Sequence, residues 1–447
     1  MRNQPPSNQS PESTTITLFD AEAKVDYTSY TQFAQALYNT GIFADAWLDG
    51  NERFGLEAAI LSPRLARQLA QVAEDITLLH QELVTILLDN PQLMADFYQL
   101  TPFQQMMWES AGGLWHGMAR ADLFLCTDGQ IRCCELNSDT PSGQAEAVVL
   151  NQLLHATNEQ RVEQQLLDPN QHFGVRYCQM LQESLAKRTS AALHRVGIIY
   201  PTEFTEDLGM ILLFRQLLEK LGITVVTGSP YNLHYNGSEL LVLGKPVDLI
   251  FRHYKTDWWG ERYSVWQNDP ELPDPDPLIA PLRAIFQADL AGQVTIVNPF
   301  GAVITQNKLS LAFFWEEQAR FSPRSQQLIR KLLPETYRLN QMSADQLDQL
   351  RANQTQWVLK SDYGCEGAET VCGPFVNAQH WQMSLDLAIP QHFVVQRFFE
   401  VQPNEQGYLP NYGVYIIGGS AAGYLTRLSR QSTQYDTLSV PTFIRLG

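Results

Sequence analysis

The chain has 447 residues, more than one hydrophobic core normally serves, so two or three lobes with a cleft between them are expected. Its formal charge of -17 and the lack of any Lys or Arg run argue against nucleic acid or an anionic membrane as partner. Apolar residues make up 44% but fall in short runs, none near the roughly 20 residues a membrane-spanning helix needs, and six cysteines without CxxC spacing suit a reducing cytoplasm.

Residues 1–20 are rich in Ser, Pro, Thr, Gln and Asn, without the apolar core of a secretory signal, and read as a disordered tail. Residues 21–110 read as a helical lobe: Leu65, Leu69, Val72, Ile76, Leu79, Leu83 and Leu87 recur at three- and four-residue intervals. Farther on, strands at 195–200, 223–227 and 247–253 with a helix at 206–221 form a strand-helix-strand unit. Its first loop, Pro201-Thr202-Glu203-Phe204, has no glycine fingerprint, which sets aside a Rossmann dinucleotide cofactor. Five prolines among acids at 268–281 predict a rigid surface connector; a helix at 308–321 and a strand-rich stretch from Trp357 follow.

The segment 120–137 carries the most chemistry. Two alternating runs flank Asp128-Gly129, which predicts a hairpin with a two-residue turn. Pairing Thr127 with Gln130 then sets Asp122 opposite Glu135 and Arg120 opposite Asn137, all on one face, with Leu123, Leu125, Cys134 and Leu136 on the other. Two facing carboxylates repel unless something neutralises them. Either a hard cation such as magnesium sits between them with the Asn137 carbonyl as a further ligand, or they are surface acids bridged by Arg120. The following Ser138-Asp139-Thr140-Pro141-Ser142-Gly143 turn is crowded with hydroxyl and amide groups able to hold a polar substrate or a second metal, while Ser142 and Glu146 are also placed to cap a helix from Gln144.

Lys308 falls at the start of an apolar helix, an end that favours anions, so either a phosphate contact or a solvated lysine accounts for it. Lys360 ends a short strand and precedes Ser361-Asp362-Tyr363-Gly364-Cys365-Glu366-Gly367-Ala368, whose two glycines would let backbone N–H groups approach a polyphosphate. Gln396 and Arg427 lie inside later strands, each facing either a ligand or a neighbouring surface.

In this order the motifs resemble the glutathionylspermidine synthase-like ATP-grasp family over most of the chain after about residue 105. The matching elements are Arg120-x-Asp122, Glu135-x-Asn137-x-Asp139-Thr140-Pro141 with Glu146, Phe251-Arg252-His253-Tyr254 followed by Trp258-Trp259 and Glu261, Asn307-Lys308 before Trp315-Glu316, Lys360 with Gly364-x-Glu366-Gly367-Ala368, Gln396, and Gly423 to Arg427. The resemblance implies an α/β (α+β) fold: an ATP-grasp of permuted order with a helical N-terminal lobe and a central Rossmann-like pre-ATP-grasp substrate domain. It divides the chain at 1–20, 21–110, 111–192 (metal-binding part), 193–292 (substrate domain) and 293–447 (nucleotide-binding part with a lid loop at 361–369).

The likeness also implies roles. Asp122, Glu135 and Asn137 would be magnesium ligands; Lys308, Lys360, Gly364, Glu366, Gly367 and Gln396 would hold ATP; Arg120 and Arg427 would serve the transition state; Ser138, Thr140, Ser142 and Glu146 would contact substrate. The implied reaction is ATP-dependent joining of a small-molecule acid to an amine (peptide, amino acid or polyamine) through an acyl phosphate, with no amidase domain. One departure stands out: Cys365 replaces the arginine of the family's Gly-Arg-Glu-Gly loop, a loss of about 2.7 to 4 kcal/mol of transition-state stabilisation unless Arg397 or Lys255 substitutes. The alternative is an ATP-binding protein without ligase activity.

Overall fold

The computed structural model describes residues 29–48, 50–156, 165–190, 192–203, 207–260, 278–364, 369–430 and 437–446. The expected tail and most of the proline-rich connector lie outside these residues. Among the described residues no helix is long and apolar enough to cross a membrane.

Among the described residues the three largest of six sheets frame the site. A five-stranded antiparallel sheet runs in the order Leu438–Val440, Ser420–Ser429, Leu409–Ile417, Met118–Leu125, Ile131–Asn137, with the acidic hairpin at one edge. A four-stranded parallel sheet runs Thr295–Val297, Leu249–Arg252, Arg195–Ile199, Thr224–Gly228 and contains the expected strand-helix-strand unit with its helix Leu208–Lys220. An antiparallel sheet of four runs Thr336–Arg338, Phe393–Arg397, Trp357–Ser361, Thr370–Cys372.

The apolar stripe read from sequence forms the helix Pro63–Asp89, which starts where the Ser62 side chain accepts from the Leu65 N–H and Pro63 presets the first turn. Its buried Leu69, Ile76, Leu79 and Leu83 share one core with Ala119, Ala121, Leu123 and Leu136 of the hairpin and with Val414 and Ile416 beside it. Each such leucine contributes about 1.5–3 kcal/mol through the apolar area removed from water. That helix therefore backs the sheet face opposite the charged residues and fixes which way they point.

The hairpin turn differs from the predicted one. Cys126 N–H donates to Gln130 O at 2.9 Å and Gly129 N–H to Cys126 O at 2.8 Å, with Gly129 at φ 76°, so the loop holds three residues, Thr127 to Gly129. That alone would shift the pairing by one, yet Asp122 still lies opposite Glu135 and Arg120 opposite Asn137, because a bulge beside Leu123 restores the register. The bulge also corrects the core face: Cys133, not Cys134, lies opposite Leu123 and is fully buried.

Two further differences are local. Pro281, read as part of the connector, is buried in the first turn of the helix Ile279–Leu290, a position where proline's missing N–H costs no helical hydrogen bond. The helix after Lys308 is shorter than expected, Leu309–Glu316, with a separate 3-10 turn at Gln318–Arg320.

The antiparallel sheet of four is tied to the hairpin tip. Thr127 N–H donates to Glu400 O at 3.0 Å and Gln402 N–H to Leu125 O at 2.8 Å, so the chain leaving Arg397 runs beside the hairpin before entering the five-stranded sheet.

Candidate active site

The hairpin's charged face divides into two parts. At its inner part, Arg120 Nε and Nη2 grip Asp122 Oδ1 and Oδ2 at 2.7 and 3.0 Å, a bidentate pair, and Arg427 Nη2 reaches Oδ2 at 2.9 Å from the strand Ser420–Ser429. Burial alone would raise the Asp122 carboxyl, but the Arg120 and Arg427 guanidiniums outweigh it and pull it down to about 2. Gly413, the cross-strand partner of Asp122, makes room for this: a Cβ there would lie 2.9 Å from Arg120 Cδ.

At the outer part, Glu135 keeps 30% of its side chain exposed, and Lys308 Nζ lies 3.9 Å from its Oε2. Asn137 Nδ2 sits between the two acids, 3.2 Å from Asp122 Oδ2 and 3.5 Å from Glu135 Oε1. As placed, the Asn137 amide turns its nitrogen to the two acids, so its oxygen would face an ion there only with the amide flipped; the two carboxylates are hard oxygen ligands of the kind magnesium takes. Among the described residues no three His, Cys, Asp or Glu side chains cluster, so an ion here would be held by Glu135, Asn137 and an Asp122 already neutralised on its far side. Arg120 does not bridge the acids as an exposed pair would require, since Arg120 and Asp122 are both buried.

Lys308 belongs to a longer contact. Its N–H donates to Asp362 O at 2.8 Å and its ammonium to Gly364 O. Asn307 Oδ1 accepts from the Leu309 N–H at 2.8 Å and opens the helix. Lys255, one of the two cations weighed against the missing loop arginine, donates to Tyr363 O at 3.0 Å, whereas Arg397 is exposed and lies over the Trp357 ring at 5.1 Å. Cys365, Glu366 and Gly367 lie outside the described residues.

On the facing sheet, Lys360 Nζ donates to Gln396 Oε1 at 2.8 Å, and Gln396 Nε2 reaches Thr336 Oγ1 at 3.2 Å and Cys134 O at 3.5 Å. Gln396 therefore links the lysine-bearing sheet to the residue before Glu135. Burial pushes the Cys134 thiol up to about 12 despite the nearby Lys360 charge, so it is no nucleophile at neutral pH.

The turn after Asn137 is anchored from beneath. Ser138 is fully buried with its hydroxyl 2.7 Å from Thr305 Oγ1, a contact that serves the loop's footing. Gln306 Oε1 accepts from the Ser138 and Asp139 N–H groups at 2.9 and 3.1 Å. Asp139 is wholly buried against Arg252 and also accepts from Thr256 N–H at 2.7 Å, joining the turn to the parallel sheet. Thr140 and Ser142 are half-buried, and the Ser142 carbonyl accepts from Arg120 Nη1 at 2.8 Å and Tyr415 Oη at 2.9 Å.

Glu146 stands in the first turn of the helix Gln144–Ala156, 3.7 Å from Arg53 Nη2. Burial raises its carboxyl, with the charge of Asp207 adding to the effect. Gln306, Arg53, Asp207 and His253 were assigned no role from sequence; His253 stood inside a matched motif, the one signal available for it.

Two antiparallel sheets joined at the acidic hairpin, with a parallel sheet alongside, make an α+β fold of the ATP-grasp type. The chain belongs to the glutathionylspermidine synthase pre-ATP-grasp family, whose model matches residues 48–445. Among solved structures it is similar to a glutathione synthetase-like effector from Globodera pallida in its apo form, with a TM-score of 0.57 and 12% identity over 93% of this chain and 96% of that one. A gamma-glutamylcysteine synthetase-like protein from Methylobacillus flagellatus matches at 13% identity over 82% of this chain and 86% of its own, with a TM-score of 0.40. At 12% identity the likeness to the Globodera pallida protein is one of fold. No protein with a curated description matches the sequence.

Proposed function

We propose that this protein is an ATP- and magnesium-dependent ligase that joins a carboxylate to an amine through an acyl phosphate. The observation that carries the reading is the 3.9 Å approach of Lys308 to Glu135, which brings a cation from a distant helix to the acidic hairpin edge. Lys360 with Gln396 stands on the facing sheet. Two lysines and a carboxylate edge are the parts a nucleotide polyphosphate and its metal require.

A magnesium ion held by Glu135, Asp122 and Asn137 would neutralise phosphate charge so that an anionic carboxylate can approach. Lys308 would exchange its carbonyl partner Gly364 for phosphate oxygen, and Lys360 would exchange Gln396 in the same way. Arg120 and Arg427, locked by Asp122, present fixed positive charge that needs no reorganisation as the phosphoryl group moves. Lys255, bound to the stem of the 361–369 loop, is the cation nearest to replacing the absent loop arginine. On this reading residues 111–192 supply the metal, 193–292 the substrate and 293–447 the nucleotide parts of the site.

The test is ADP release and mass spectrometry of products with pooled acids, including glutathione, and pooled amines, including spermidine. Acid- and amine-dependent ADP with a matching amide is expected, and Lys308→Ala should abolish both. Saturating pools that give neither from the wild-type chain would overturn the reading.

A further inference from the structure

A second cluster of charge lies within electrostatic reach of Arg120, and the mechanism above leaves it unused. Asp207 stands just before the helix Leu208–Lys220, and its Oδ2 lies 2.8 Å from His253 Nε2. Asp207 follows the strand Arg195–Ile199 and His253 follows its parallel neighbour Leu249–Arg252, so both sit at the carboxyl edge of the parallel sheet, where open α/β sheets bind ligands.

The two members differ in access. His253 is 3% exposed, its N–H donates to Ile199 O at 2.7 Å, and its Nδ1 is buried with no hydrogen-bond partner among the described residues. Asp207 keeps 31% of its side chain exposed. A buried ring held by the sheet thus fixes one oxygen of a carboxylate whose remainder is open to a ligand. Burial would raise the Asp207 carboxyl, but the His253 ring and the Arg120 guanidinium hold it below its usual value, so it stays ionised. Glu146, with Arg53 beside it, lies within electrostatic reach of the same carboxylate.

We infer that Asp207 binds the ammonium group of the amine substrate, with His253 as the positioning residue that orients it. This rests on the ligase reading for the presence of an amine. Asp122, by contrast, is already paired with two guanidiniums and offers an ammonium no unpaired charge.

Calorimetric titration of spermidine into the full-length protein, in about 0.15 M salt to screen the acidic surface, needs no turnover and so separates this inference from the ligase reading. Asp207→Asn is expected to weaken spermidine about tenfold or more, the value of one charged hydrogen bond, while leaving ATP affinity in place. His253→Gln, which keeps the carboxylate but removes its orienting partner, should weaken spermidine less and in the same direction, and in turnover should raise KM for the amine but not for ATP. Equal spermidine affinity in wild type and Asp207→Asn, or no binding by the wild type, would overturn the inference. A wild type that binds spermidine through Asp207 but forms no ADP would sink only the ligase reading.

Discussion

Two ends of one hairpin face do different work. At the Asp122 end, a carboxylate with 2% of its side chain exposed is held by two guanidiniums from separate strands; at the Glu135 end, a carboxylate with 30% exposed has one ammonium at 3.9 Å and one amide at 3.5 Å. Opposed positions in a strand pair are geometrically equivalent, yet the burial that closes one end leaves the other available for exchange. The inner acid is a structural hub, and the outer acid is free to take a cation.

Removing the hub should produce the largest effect. Asp122→Ala leaves Arg120 buried without its partner and should destabilise the fold by about 3–5 kcal/mol in urea denaturation. Glu135→Gln should change stability by no more than about 1 kcal/mol, because its contacts are long and partly solvated, yet cut ADP formation about a hundredfold. Should the two substitutions cost the same stability, the division between the ends fails.

Acid titration sharpens the contrast. Asp122 sits at about 2 when folded, below the value near 3.9 it takes when unfolded, so its contribution of about 2 to 3 kcal/mol is complete above about pH 4 and is lost as pH falls through about 2. The stability gap between wild type and Asp122→Asn should therefore narrow across that window and stay constant above it. A smaller loss than that of Asp122→Ala is expected from Gly413→Ala, whose methyl meets the Arg120 stem and should cost about 1–2 kcal/mol by overpacking.

What the sequence revealed follows the range of the forces involved. The alternation of apolar and charged residues from Arg120 to Asn137 was enough to put Arg120, Asp122, Glu135 and Asn137 on one face, while opposing Asp122 to Glu135 rested on counting from the turn. The turn was misread by one residue and the bulge at Leu123 compensated, an offset that no local pattern announces. Ser138 reads from sequence only as one hydroxyl of a polar turn; its partner Thr305 lies 167 residues away. The Asp207–His253 pair spans 46 residues and two strands of the parallel sheet, so only the folded sheet edge brings it together. Lys308 was legible by its place before an apolar helix, but its distance to Glu135 was not.

The central claim is that the open acid edge and the two lysines form one magnesium–nucleotide site. Calorimetry of ATP with the wild-type chain and Glu135→Gln, each with magnesium and with EDTA, tests it most directly. ATP binding that requires magnesium in the wild type and weakens about a hundredfold in Glu135→Gln, without loss of fold, is the predicted result. ATP binding of equal strength with and without magnesium, unchanged by the substitution, would contradict it.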